Sequence, residues 1–249
     1  ARRAAEFVLG RMRGERGLLR THRGGQSRLN AYLDDYAFLI AGLLELYEAT
    51  FEPRWVREAA RLAEEMRDRY LDPGDGAFFF TSSDHEALIV RRKAGQDNAI
   101  PSGNSMAALG LLRLAKLTGE ARWASLGEGV LRAFGEYLGR APAAFHMMLV
   151  ALDFFLDTPV EIAVAGNPSA EDTRAALRAV DAEFVPNKVL AFRPEGGGAA
   201  EEAAVPLLRG KRALGGAAAV YLCENFTCKE PLTDPAAVRR ALRPAARQG

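Results

Sequence analysis

The feature that most restricts the fold is a helix pair written twice. Ala41-Gly-Leu-Leu-Glu-Leu-Tyr-Glu-Ala-Thr50 matches Leu109-Gly-Leu-Leu-Arg-Leu-Ala-Lys-Leu-Thr118, with Gly42 and Gly110 in register. Trp55 and Trp123 follow at the same 68-residue offset, and so do Arg23 with Arg91 and Asn30 with Asn98. Within the first unit the two helices differ in kind. Tyr36 to Tyr47 carries one charge, Glu45, and is apolar nearly all round, so it must be covered on most sides. Val56 to Tyr70 sets Val56, Ala59, Ala63 and Met66 against a charged face of Arg57, Glu58, Arg61, Glu64, Glu65, Arg67 and Asp68. One helix is inner and one outer. A third unit opens at Pro142 with an inner helix, Ala143 to Leu156, whose only polar side chains are His146 and Asp153. An inner helix cannot bury itself, so the units must stack, as in an α/α toroid or an α-solenoid.

The remaining segments fit around these pairs. A helix is expected up to about Arg13, a short strand over Leu18 to His22, and a turn at Gly24-Gly25. The first inner helix is expected over about Asn30 to Thr50, and its outer partner over Pro53 to Tyr70. Between the pairs, Asp72 to Gly76 reads as a turn, and Phe78 to Phe80 with Glu86 to Arg92 as two strands of a hairpin-like loop. The second inner helix runs from Met106 to Leu117, and its outer partner from Trp123 to about Leu138. After Thr158-Pro159 the pattern changes. Val160 to Ala165, Lys188 to Phe192 and Ala217 to Leu222 read as strands. Glu171 to Val180 and a segment capped by Asp234, with Pro235 in its first turn, read as helices. Pro194 to Ala204 is Gly- and Ala-rich and is expected to be mobile. The expected class is mainly α. Residues 1–158 would be α/α hairpins forming part of an (α/α)6 toroid, and 159–249 a small α/β unit. The hairpins make up about half a toroid. The rest is expected from a missing N-terminal portion or from a homo-oligomer.

Composition excludes some functions. The 33 basic and 32 acidic residues leave a net charge of +1 with no dense basic run, which argues against a nucleic-acid surface. No apolar run approaches the roughly 20 residues that span a bilayer, so no membrane partner is expected. A cytoplasmic setting is the default expectation.

The candidate site lies where the apolar helices begin. Gln96-Asp-Asn-Ala-Ile-Pro-Ser-Gly-Asn-Ser105 opens the second inner helix, Asp34-Asp35 the first and His146 the third. Parallel inner helices would bring these mouths to one shared pocket, where helix N-termini offer free N–H groups and partial positive charge. Asp34, Tyr36, Asp97, Ser102, Asn104 and Arg91 are the expected ligand-binding residues, their carboxylates, amides and guanidinium suited to sugar hydroxyls. Asp35 with His146 is the expected acid/base pair. Against this stands simple helix capping, which selects the same residue types. Adjacent aspartates also point about 100° apart on a helix, so one of the two is expected to line a pocket. For Arg91 and Arg23, loop-anchoring salt bridges compete with ligand binding.

Cys223 and Cys228 do not make a disulfide framework, and C-x4-C is not the usual redox spacing. A structural pair, reduced or oxidised, is expected. Neither a metal site nor a cofactor is expected. Gly166-Asn167-Pro168 lacks the glycines of a dinucleotide fingerprint.

Three stretches carry a family resemblance: Leu33-Asp-Asp-Tyr-Ala37, Asp97 with Pro101-Ser-Gly-Asn-Ser105, and Tyr221-Leu-Cys-Glu-Asn-Phe-Thr-Cys-Lys-Glu-Pro231. In these the chain resembles the C-terminal part of the spermatogenesis-associated protein 20 family, also called YyaL-type thioredoxin-domain proteins. The resemblance implies an N-terminal thioredoxin-like domain, absent here, followed by a six-hairpin α/α barrel similar to N-acylglucosamine 2-epimerases and six-hairpin glycosidases. Two function classes follow. One is a carbohydrate-binding toroid, epimerase- or glycosidase-like, and the other a non-catalytic scaffold for the thioredoxin-like domain.

Overall fold

The computed structural model describes residues 1–86 and 89–243. It is 51% helical, mainly α with a small α/β part. It divides into two compact units, one of Ala1–Ala115 with Glu120–Leu156, the other of Lys116–Gly119 with the chain from Asp157 onward.

The first unit opens with α1 (Arg2–Arg11) and an antiparallel sheet of β1 (Arg13–Gly14), β2 (Gly17–Arg23) and β3 (Gln26–Asn30), in that order. The pairs follow: α2 (Leu33–Thr50) with α3 (Arg54–Tyr70), then α4 (Gly103–Thr118) with α5 (Ala121–Arg140). A single 3-10 turn, Pro142–Ala144, leads into α6 (His146–Leu156). The inner helix α2 buries Leu33, Tyr36, Ala37, Ile40, Leu43, Leu44, Leu46 and Tyr47. In α3 the buried residues, Trp55 to Tyr70 at helical spacing, lie opposite the charged face.

Side-chain register shows that α2 and α4 run parallel. Near one end the Asp34 carboxylate lies in the space that a side chain on Gly103 would need. Midway, a Cβ on Gly110 would come within 3.3 Å of the Ile40 methyl, so the missing side chain permits the close approach. At the far end Arg113 pairs with Glu45 and Glu48. The outer helices repeat one device. Trp55 and Trp123 are fully buried, and the preceding Arg54 and Arg122 lie over their rings at 3.9 and 4.3 Å. The repeat reaches the helix ends too, where Phe51 and Gly119 both adopt left-handed backbone, φ 55° and 69°.

The loop between the pairs differs from expectation. Phe78 to Phe80 forms no strand, only an isolated bridge from Phe78 to Leu71. Both backbone groups of Phe78 are taken by Asn104, whose Oδ1 accepts its N–H at 2.8 Å and whose Nδ2 donates to its carbonyl at 2.9 Å. That side chain replaces the strand partner. Of the second expected strand, Ala87 and Leu88 lie outside the described residues, and the remainder has no ladder.

The second unit holds β4 (Val160–Gly166), α7 (Glu171–Asp181), β5 (Lys188–Pro194), α8 (Ala199–Ala204), β6 (Ala219–Glu224), β7 (Thr227–Cys228) and α9 (Pro235–Leu242). The sheet order is β5-β4-β6-β7. β4 and β5 are parallel with α7 as the crossover, and the other pairings are antiparallel. β4 is central and buried from Glu161 onward, which explains the apolar run of Ile162 to Ala165. The Gly- and Ala-rich stretch expected to be mobile contains α8. Glu201 accepts the Gly198 N–H at 3.1 Å, and Glu202 pairs with Arg193 at 3.0 Å. Asp234 caps α9 through the N–H groups of Ala236 and Ala237, at 3.0 and 3.1 Å.

Candidate functional site

Two carboxylates tie the starts of the inner helices together. Asp34, in the first turn of α2, sets its carboxylate against Gly103 at the start of α4. Asp97 joins α4 and α6. Its Oδ1 accepts the Ser102 N–H at 2.7 Å, and its Oδ2 the Met147 N–H at 2.8 Å. The Asp97 N–H in turn donates to the Ala144 carbonyl at 2.8 Å. The three mouths therefore share one rim, held by negative charge on the positive ends of the helices.

Neither of two cavities lined by described residues near this rim joins all three mouths. Asp34 and Asp35 line a cavity of about 600 Å³ with Arg20, Phe38, Leu39, Ile100 and the apolar side chains of Val8, Met12, Leu18 and Leu19. Gln96 and Asn98 line another, of about 520 Å³, with Lys93, Phe134, Tyr137 and Phe145 among its walls. His146 is exposed and lines neither.

The polar groups of the first cavity are unequally occupied. Asp35 Oδ2 accepts the Tyr32 N–H at 2.8 Å, as a capping box does, and pairs with Arg20 at 2.9 Å. Arg20 also lies 4.7 Å over the Tyr32 ring, itself stacked on Phe80 and His85. Asp34 is half-buried, with the Gly103 backbone beside its carboxylate. Burial, and then repulsion from Asp35, raise its carboxyl above the usual range despite Arg20. Both aspartates face the cavity, where one was expected from their angular separation.

The other expected residues are placed as follows. Tyr36 is fully buried and outside the cavity wall. Its hydroxyl accepts the Leu18 N–H at 2.9 Å and the Arg69 Nη1 donor at 3.1 Å, and donates to Glu65 at 3.2 Å. Burial pushes its phenol up. Asn104 is fully buried and bonds the backbone of Phe78 and Ala94. Ser102 caps α4 through the Ser105 N–H at 3.1 Å and donates to the Gly95 carbonyl at 3.0 Å. Arg91 donates to the Thr81 carbonyl at 2.6 Å and stacks over Phe79 at 4.0 Å. It holds the loop through carbonyls and a ring, and not through the salt bridge that the alternative expected. Arg20, Phe38 and Ile100 are cavity residues that sequence reasoning missed. The alternation along Leu18 to His22 was the signal available for Arg20.

Cys223 and Cys228 form a disulfide between directly opposed residues of β6 and β7. Among the described residues no cluster of three or more His, Cys, Asp or Glu could hold a metal ion, and no helix is long and apolar enough to cross a membrane.

No family model matches the chain. It is 38% identical to mouse spermatogenesis-associated protein 20 over 212 residues, covering 85% of this chain and 27% of the mouse protein. The human protein of that name is 37% identical over 214 residues, covering 86% and 27%. A Caenorhabditis elegans protein is 28% identical over 242 residues, 93% of the chain and 32% of that protein. The chain thus spans about a quarter of the length of the mouse and human relatives. By these matches the chain is similar to a C-terminal portion of spermatogenesis-associated protein 20.

Proposed function

We propose that the helical unit binds a carbohydrate-like ligand at the mouth of α2. The observation that carries this reading is the cavity of about 600 Å³ joining Asp34, Asp35 and Arg20 to an apolar wall. Carboxylates and a guanidinium hydrogen-bond hydroxyls, and Phe38, Leu39 and Ile100 offer surface for the C–H faces of a sugar ring. Asp34 suits proton transfer, because its raised pKa moves a carboxyl toward neutrality. Asp35, tied to Arg20, orients hydroxyls in this reading. His146 stands on the same rim, and its proposed part as Asp35's acid/base partner requires a ligand that reaches α6.

The same proposal takes residues 1–158 as part of an α/α toroid and 159–249 as a separate α/β unit, the remaining hairpins belonging to the longer protein or to a second copy. A scaffold role for a thioredoxin-like portion is the second reading. Its support is that Asp97, Ser102 and Asn104 bond backbone within the rim. Thermal-shift measurements with glucose, mannose and N-acetylglucosamine separate the two, run on this chain and on the full-length protein. A sugar-dependent shift lost in Asp34→Asn and Asp35→Ala supports ligand binding. Absence of any shift in both proteins supports the scaffold. His146→Ala reports whether the ligand extends to α6.

A further inference from the structure

We propose that Cys223 and Cys228 form a thiol–disulfide exchange site, with Cys228 the attacking sulfur, Cys223 the resolving one and Lys211 the cation that holds the Cys228 thiolate. The inference is independent of the sugar-binding reading and concerns the second unit alone.

Two observations distinguish this pair from a staple. First, the disulfide closes a hairpin that is already held. Its tip residues Asn225 and Phe226 are fixed by Lys116 Nζ, which donates to Asn225 Oδ1 at 3.0 Å, and by Glu161 Oε2, which accepts the Phe226 N–H at 2.8 Å. Cross-linking residues only five apart also removes little chain entropy, since the gain grows with loop length. Second, Lys211 places its ammonium 2.9 Å from Cys228 Sγ and 5.2 Å from the Tyr221 ring. Lys93, Lys116 and Lys229 each face a carboxylate. Lys211 has no carboxylate partner among the described residues. A cation held against sulfur favours the thiolate, which is the nucleophile in exchange.

Access assigns the roles. Cys228 is partly exposed on the two-residue edge strand β7, whereas Cys223 is fully buried on β6. In the dithiol form the Cys228 thiolate attacks one sulfur of an external disulfide, RSSR. A new S–S bond forms, the old one breaks, and RS⁻ leaves to take a proton from water. Cys223 then loses its proton to solvent and attacks Cys228 Sγ, expelling the second RS⁻. Two electrons pass from the cysteine pair to RSSR. The reverse sequence, with a thiol as donor, reduces the pair.

The test uses the whole chain, with glutathione disulfide as the probe and iodoacetamide alkylation read by mass spectrometry. After reduction and desalting, Cys228 alkylation should have a pH midpoint about one unit below the ordinary thiol value of about 8.5. Lys211→Met should slow alkylation at neutral pH about five- to tenfold, and Lys211→Arg should restore it. Cys223→Ser should trap one glutathione on Cys228, and Cys228→Ser should trap none. A purely structural disulfide would not produce this pH profile. A wild-type midpoint at or above the ordinary value, equal rates in Lys211→Met, or an adduct on Cys223 would each overturn the assignment. If Lys211→Met fails to fold by circular dichroism, the wild-type profile and the two cysteine variants decide it.

Discussion

Glu45 and Arg113 hold the same place in the two repeats, 68 residues apart, and they meet: Arg113 Nη1 donates to Glu45 Oε1 at 2.5 Å. The same guanidinium reaches Glu48 at 3.0 Å. Residues at equivalent positions touch only when the repeated helices lie side by side and point the same way. The two glutamates are unequal, since the Glu45 side chain is 66% exposed and that of Glu48 15%. Glu45→Ala should therefore cost less than about 1 kcal/mol. Arg113→Ala, which removes a largely buried cation from both glutamates, should cost about 3 kcal/mol. Urea unfolding of both variants checks the ratio.

Asp97 serves two helix starts at once, so its replacement should cost more than an ordinary cap. Asp97→Ala is expected to destabilise by about 2–3 kcal/mol, at about 1 kcal/mol per lost cap plus the lost charge at two N-termini. Asp97→Asn keeps one accepting oxygen and should lose about half as much. Equal losses in the two variants, measured by chemical denaturation, would show that the carboxylate does not bridge.

Asn104 fills the place of a strand. Asn104→Leu leaves the Phe78 N–H and the carbonyls of Phe78 and Ala94 without this partner, for an expected cost of about 3 kcal/mol. Amide hydrogen exchange at Phe78 should accelerate as well. Unchanged exchange there would contradict the assignment.

These residues show what can be read from sequence. The doubled Gly-Leu-Leu motif and the Trp55–Trp123 match report the stacked pairs directly, because burial of an apolar helix demands a periodic sequence. Asp35, Ser102 and Asp234 are legible as helix starts because capping is local. The roles of Asn104 and Asp97 are not local. Asn104 bonds a segment 26 residues away and Asp97 one 50 residues away, so composition alone cannot say that they face backbone instead of ligand. Phe78-Phe79-Phe80 misleads for the same reason: its β propensity is real, but a side chain supplies its partner. Arg20 enters the cavity through tertiary pairing with Asp35, which leaves no signature beyond strand alternation.

Asp34 should make stability depend on pH in the unusual direction for a carboxylate. Its pKa is raised in the fold, so the native state binds more protons than the unfolded chain. Its contribution is most favourable below the model value of 3.8 and declines as pH rises through the elevated native pKa, then stays level. Asp34→Asn should thus be more stable than wild type at neutral pH, with the difference shrinking as pH falls through the raised native pKa and levelling off below 3.8. Thermal melts across pH test the sign. A variant less stable at neutral pH would contradict it.

The most direct test of the proposed ligand site is carbon-detected NMR of the Asp34 carboxyl during titration with glucose, mannose and N-acetylglucosamine. The account predicts that Asp34 titrates above 3.8 in the free protein and that one of these sugars moves its resonance and its midpoint. An Asp34 signal that titrates at its ordinary value and stays fixed with every sugar, in this chain and in the full-length protein, would contradict it.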